Sequence, residues 1–345
     1  MNQLRRVTWS KACTIVPTYE CFNRCSYCNF RRDYPSGWIS LSETERVSRK
    51  HRDAGAIEAL IMSGEVHPSS SRRVKWLGHI AEVCKVALHN GLLPHINVGP
   101  LTTDELEVLS QVSVSMGLML EQASPKLVKT VHRRAPSKSP SIRLQHLRAA
   151  GRLKIPFTTG ILLGIGEDEQ DREESLRCIA DVQQEFGNIQ ECIIQPFCPG
   201  ERGYVAGYSS TPFNIDELPS VVATARAILP REIALQVPPN LVFAGKEPRD
   251  GFALLLRCIE AGATDLGGIS PIDEVNPSYS FPNMSWLEDE LLARGYQLLP
   301  RLPVYERFIP WLKRDKKREY MFEVIASHMQ ELREKPFTKR VSGIP

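Results

Sequence analysis

Short apolar runs rich in Val, Ile and Leu alternate along this chain with longer stretches whose apolar residues recur at three- and four-residue steps. The runs are CTIVPT (13–18), IEALIMS (57–63), LPHINV (93–98), VSVSMGLML (112–120), PFTTGILLGI (156–165), ECIIQPF (191–197), IALQV (233–237) and TDLGGI (264–269). They make eight candidate strands. Between the second and third, Val74, Leu77, Ala81, Cys84 and Leu88 define one apolar face of a helix. Between the fifth and sixth, Leu176, Ile179, Gln183 and Phe186 do the same with one polar interruption. Ser42 with Glu45 reads as a capping box, and Thr103 ahead of Glu105 and Leu106 as another helix start.

Strand and helix alternating eight times is the order of an α/β protein of the (β/α)8 TIM-barrel type. A doubly wound open sheet is the alternative, because sequence order does not say whether the sheet closes. Past NPSYSFPN (276–283) the alternation stops, and SWLEDELLARGYQLL and EYMFEVIASHMQELREK are helical by periodicity. The expected organisation is a barrel over residues 1–280 and a C-terminal helical extension over 281–345, too short for a substantial core of its own.

Composition changes this picture little. A chain of 345 residues with 42% hydrophobic and 24% charged residues is ordinary globular material. Its net charge of +3 points to neither a nucleic-acid nor a membrane partner, so a small-molecule substrate is expected. No run approaches the roughly 18 apolar residues of a membrane helix, and MNQLRRVTWSK lacks the apolar centre of a signal peptide. A cytoplasmic protein is the expectation. Of nine cysteines, Cys13, Cys84, Cys178, Cys192, Cys198 and Cys258 are scattered singly, which is poor material for a disulfide framework.

In a barrel, chemistry gathers at the C-terminal ends of the strands. Here those ends are followed by a cysteine-rich loop, SGEVHP (63–68), Asn97, Glu121 with Gln122, GIGED (164–168), Gln195 in QPF, Asn240 in PPN, and Gly267 with Gly268. Many of the glycines and prolines are ordinary loop punctuation. HRRAPSK (132–138) reads first as a solvated basic loop and second as a contact for an anionic ligand. His67 and His132 have no partner at metal-ligand spacing, and no P-loop, nucleophile elbow or zinc helix occurs.

The strongest signal is TYECFNRCSYCNF (18–30), in which Cys21, Cys25 and Cys28 stand in a C-x-x-x-C-x-x-C spacing. A structural zinc wants four ligands, and no second C-x-x-C completes the set. A redox pair of Cys25 and Cys28 leaves Cys21 unexplained. A 4Fe-4S cube on three thiolates keeps one iron open to a chelating small molecule, which gives three cysteines a use.

This loop, with Tyr27 directly before the last cysteine, resembles the signature of the radical S-adenosylmethionine superfamily. The resemblance implies a 4Fe-4S cluster on Cys21, Cys25 and Cys28, S-adenosyl-L-methionine on the open iron, and a 5′-deoxyadenosyl radical. It also implies cofactor contacts from Tyr27, from Ser63, Gly64 and Glu65 (where serine replaces the first glycine of the superfamily's motif), from Glu121 near the ribose, and from Gly164 in the segment passing the adenine.

Longer phrases narrow the resemblance. VPTYECFNRCSYCNFR, SGEVHP, SMGLMLEQ, HRRAPSK, IPFTTGILLGIGE, IQPF and AGATDLGGISPIDEVNP are similar to the CofG-type subunits of 7,8-didemethyl-8-hydroxy-5-deazariboflavin synthase over most of residues 12–282. Arg134 stands where a histidine is common, and Val98 where a smaller residue is expected. That family implies an ammonia-lyase that turns a hydroxybenzyl–ribityl–uracil adduct into a deazaflavin. It further implies a CofH-type partner that makes the adduct and a low-potential electron donor of the flavodoxin or ferredoxin type. Phe30, Asn97, Gln195 and Asn240 are the expected substrate contacts, and no general base is assigned. Rival readings are a CofH-type, menaquinone-pathway or HydE-like radical enzyme, and a non-catalytic iron–sulfur binding protein.

Overall fold

The computed structural model describes residues 4–33, 37–200, 213–312 and 318–334. Among these, nine strands form one all-parallel sheet: β1 (Arg5–Ile15), β2 (Glu58–Met62), β3 (Leu93–Asn97), β4 (Ser115–Gly117), β5 (Phe157–Leu163), β6 (Ile189–Pro196), β7 (Ala234–Gln236), β8 (Asp265–Ile269) and β9 (Tyr296–Pro300). Strands β1 to β8 pair in chain order, and both β2 and β8 pair with β1, so the sheet closes into an eight-stranded barrel. The open sheet is excluded. No described helix is long and apolar enough to cross a membrane.

Strand β1 begins well before the run 13–18 that announces it. Its upper half pairs with β2 and its lower half with β9 along the same edge: Ile57 N–H donates to Lys11 O at 2.8 Å, Arg301 N–H to Trp9 O at 2.7 Å and Arg5 N–H to Gly295 O at 3.0 Å. Arg5, Arg6 and Lys11 interrupt the apolar pattern, which hides the alternation of buried Val7 and Trp9. In the opposite sense, β4 keeps only three residues of the nine expected.

Three further expectations shift. The first helix starts after Ser40, whose hydroxyl accepts from Glu43 N–H at 3.1 Å, so the cap lies two residues before Ser42. Helix Arg73–His89 buries Trp76, Ile80, Val83, Cys84 and Ala87, while Val74 is 80% exposed. Two apolar stripes overlap there, and the one carrying the tryptophan turns inward. The helical reading of SWLEDELLARGYQLL holds only over Met284–Leu292, because Gly295 at φ 82° ends it and the next five residues are β9.

The C-terminal segment closes the barrel from below. Leu302, Val304, Phe308, Leu312, Met321, Val324 and Ile325 form a core with Ile57, Leu93 and Val114, which stand at or beside the N-terminal ends of β2, β3 and β4. The opposite end stays open and carries the cysteine loop.

Candidate active site

The cysteine loop is held against the end of β2 by backbone geometry. Gly64 N–H donates to Thr18 O at 2.8 Å, and Phe22 N–H donates to Glu65 O at 3.0 Å. A Cβ on Gly64 would lie 2.0 Å from Glu20 O, so only glycine lets the two segments meet. The Ser63 hydroxyl donates to Gly64 O at 2.9 Å and accepts from Trp76 Nε1 at 3.2 Å, which makes it part of this support.

All three thiols line one cavity of about 340 Å³ in the barrel mouth and lumen. Arg31 N–H donates to Cys28 Sγ at 3.4 Å, and the Asn23 side-chain amide lies 3.8 Å from Cys21 Sγ. Such donors suit coordinated thiolates. Burial pushes the Cys25 thiol up to about 12 and raises Cys21 as well, so these thiolates need a cation to hold them ionised. Among the described residues no three His, Cys, Asp or Glu side chains converge on a single-ion site. Three separate thiols bordering a shared cavity fit a polynuclear cluster with one iron per thiolate.

Against the loop packs a buried charge network, its segment tied to the loop by Arg24 N–H donating to Arg134 O at 2.7 Å and Ser137 N–H donating to Asn23 Oδ1 at 3.3 Å. Lys138 pairs with Glu121, Arg143 Nη1 lies 3.8 Å from the same carboxylate, and Arg143 Nη2 lies 4.0 Å from Glu65. Arg143 is fixed by donating to Ser137 O at 3.2 Å and to Met119 O. Burial alone would raise Glu121, but Lys138 and Arg143 outweigh it and hold the carboxyl below its ordinary range. Glu121 has a left-handed backbone, φ 64°, locked by Glu121 N–H to Gly160 O at 3.2 Å and Leu162 N–H to Glu121 O at 3.0 Å. Strain of this kind collects at functional positions. Tyr27 lies beside the network, its hydroxyl 2.9 Å from His132 Nε2.

Phe30, Asn97, Gln195 and Asn240 all line the cavity, as do Tyr27, Ser63, Glu65 and Glu121. Asn240 also donates to Asp273 at 2.9 Å, which ties the loop after β8 to the mouth. Gly164 is outside the cavity lining; at φ 90° it turns the chain so that its N–H meets Glu167 at 2.8 Å, and it packs on Phe213. The HRRAPSK segment is less solvated than its charge suggests. Arg133 and Arg134 are exposed, but His132 is buried and the Lys138 side chain is only 15% exposed at the cavity wall.

Sequence reading missed Arg143, Glu58, His95, Glu191 and Arg301, all of which line the cavity, and ranked the solvated reading of the run that ends in Lys138 above the ligand-contact one. The inward alternation along β2 and β6 would have found Glu58 and Glu191. Arg143 and Arg301 carry no such local signal.

Residues 15–179 match the Radical SAM superfamily. The chain is 53% identical over 309 residues to the 7,8-didemethyl-8-hydroxy-5-deazariboflavin synthase of Trichodesmium erythraeum (strain IMS101), covering 89% of this chain and 94% of the relative. It is 51% identical to the synthase of the same name from Synechocystis sp. (strain ATCC 27184 / PCC 6803 / Kazusa), covering 90% and 96%. Among solved structures it is similar to the FeFe-hydrogenase maturase HydG from Carboxydothermus hydrogenoformans, with a TM-score of 0.70, 19% identity, and 96% and 79% of the two chains covered. It is also similar to methylornithine synthase (PylB), with a TM-score of 0.65, 17% identity, and 86% and 84% covered. At these identities the structural likeness speaks to the fold alone.

Proposed function

The chain belongs to the 7,8-didemethyl-8-hydroxy-5-deazariboflavin synthase family of radical S-adenosylmethionine enzymes, and on that premise we propose the reaction its barrel performs. It converts 5-amino-5-(4-hydroxybenzyl)-6-(D-ribitylimino)-5,6-dihydrouracil to 7,8-didemethyl-8-hydroxy-5-deazariboflavin with loss of ammonia. The observation that carries this reading is identity of about half with the named synthases across about nine-tenths of both chains.

The superfamily uses a 4Fe-4S cluster and S-adenosyl-L-methionine, and Cys21, Cys25 and Cys28 would hold the cluster. Together these cofactors supply a 5′-deoxyadenosyl radical at the mouth. Glu65, Glu121, Lys138 and Arg143 offer paired charges at that mouth, suited to the zwitterionic amino-acid end and the hydroxyls of S-adenosylmethionine. Tyr27 is kept as a neutral phenol by burial and has Lys138 Nζ 5.8 Å from its ring centre.

A primary carbon radical attacks whatever is near, so the residues that exclude water matter as much as those that bind. The segment 301–305 seals the lumen from below, and the loop after β8 reaches the cysteine loop through Tyr19 O–H donating to Glu274 at 2.6 Å. Phe30, Asn97, Gln195 and Asn240 would contact the adduct between that floor and the cysteine loop.

The proposal includes a CofH-type partner that supplies the adduct, a flavodoxin- or ferredoxin-type reductant, and a cytoplasmic setting. It divides the chain into a catalytic barrel, 1–280, and an extension, 281–345, that closes it. Anaerobically reconstituted protein given reductant and S-adenosylmethionine should release 5′-deoxyadenosine several-fold faster when the adduct is added. Cleavage indifferent to the adduct would contradict the assigned substrate.

A further inference from the structure

Barrel interiors are ordinarily packed with branched aliphatic side chains, but the lower lumen here is polar. Glu58 on β2, His95 on β3, Thr158 on β5, Glu191 on β6 and Gln236 on β7 all line the cavity, and Arg301 completes the floor from the segment after β9. Buried polar groups are costly unless they are satisfied.

Part of this floor satisfies itself. Arg301 donates to Asp265 at 2.6 and 2.8 Å, to Glu191 at 2.8 Å and to Leu302 O at 3.1 Å, and Thr158 donates to Glu191 at 3.1 Å. Three groups retain capacity among the described residues: the Gln236 side-chain amide makes no hydrogen bond, and His95 and Glu58 are acceptors left open. The Ser115 hydroxyl gives its only proton to Pro303 O at 2.7 Å, so the 2.7 Å contact between His95 Nδ1 and Ser115 has His95 as donor. His95 Nε2 is therefore a bare acceptor. Gly117 leaves room beside it, since a Cβ there would stand 2.8 Å from Nε2. The Glu58 carboxyl belongs to a residue only 5% exposed, makes no side-chain hydrogen bond among the described residues, with the Ser10 hydroxyl nearby equally unpartnered, and forms no ion pair with Arg301, which is committed to Asp265 and Glu191.

We propose that this floor is a subsite for the hydroxylated end of the substrate, with His95 Nε2 and the Glu58 carboxyl receiving hydroxyls of its ribityl chain. The inference rests on the substrate reading above. The cysteine loop lies at the mouth, so the rings that react must stand there and the unreactive end of the adduct must point down the lumen. A phenol would bring one hydroxyl to the floor. A polyol brings several, each both donor and acceptor, to match separate acceptors on different strands.

The test is calorimetric binding to reconstituted enzyme with S-adenosylmethionine and no reductant, so that nothing turns over. The probes are the ribityl adduct and the same adduct carrying methyl in place of ribityl. Wild type should prefer the ribityl adduct about tenfold or more, as expected for a site built to hydrogen-bond a hydroxyl. His95→Phe and Glu58→Leu should lose that preference while binding the methyl adduct as wild type does. Glu58→Gln and His95→Asn, with melting curves alongside, serve if the larger changes unfold the barrel, and they should lose part of it. Equal affinity of wild type for both adducts, or variants that keep the preference, would overturn the subsite and leave the function standing. Binding of neither adduct by enzyme that cleaves S-adenosylmethionine would overturn the substrate reading and the subsite with it.

Discussion

Gly64 is a position where one methyl group decides the site. The Cβ of an alanine would press on Glu20 O and Cys21, and the strain would go into the cysteine loop because β2 is fixed on both edges by β1 and β3. Gly64→Ala is expected to fold, lose about 1–3 kcal/mol of stability and bind iron poorly, measured by thermal melting and by iron and sulfide content. Replacing Cys21, Cys25 or Cys28 singly with Ala should abolish 5′-deoxyadenosine release while leaving the melting of the cluster-free protein within about 1 kcal/mol of wild type. The cysteines were readable from sequence because a contiguous loop brings them together whatever the fold. Arg143 was not, and Lys138 only as the second reading of its run, since a basic residue reads as solvated until the chain places a buried carboxylate beside it.

At the scale of elements, the segment after β9 is a structural part of the site. Arg301 sits under the barrel with its side chain 11% exposed and pairs with Asp265 and Glu191. Removing one partner from a buried ion pair typically costs about 3–5 kcal/mol, so Arg301→Met should lower the urea midpoint sharply. A midpoint within error of wild type would show that the floor tolerates unpaired carboxyls. The barrel itself was legible because strand and helix periods differ and alternate eight times. Strand β9 was not: Tyr296, Leu298 and their neighbours fit a continued helical stripe, and only the turn at Gly295 and a tertiary partner, the lower half of β1, make them a strand. The same charged lower half was hidden in β1 for the converse reason, that its pairing partner comes almost 300 residues later.

At the scale of the whole molecule the buried histidines carry an acid liability, which the buried Glu58 and Glu191 carboxyls, raised by burial, oppose in part. Burial pushes His95 and His132 down to about 3 and His146 to about 4, below the value of about 6.5 they have when unfolded. Between those limits the unfolded chain binds protons that the folded chain does not, so stability falls as pH drops. Each histidine contributes a slope of about 1.4 kcal/mol per pH unit. Urea midpoints should decline steeply from pH 6.5 to pH 5 and be nearly flat from pH 7 to pH 8; a flat profile through pH 5 would show the histidines to be solvated.

These scales meet in one claim, that a cysteine loop fit to hold a cluster and a lumen closed from below convert a specific adduct into a deazaflavin. The most direct measurement is fluorescence of the deazaflavin product, with 5′-deoxyadenosine quantified in the same anaerobic sample of reconstituted protein, S-adenosylmethionine, reductant and adduct. The fluorescent chromophore appearing in proportion to 5′-deoxyadenosine is the predicted result. Deoxyadenosine without chromophore would move the enzyme to another substrate, and neither product from a fully loaded cluster would contradict radical catalysis by this chain.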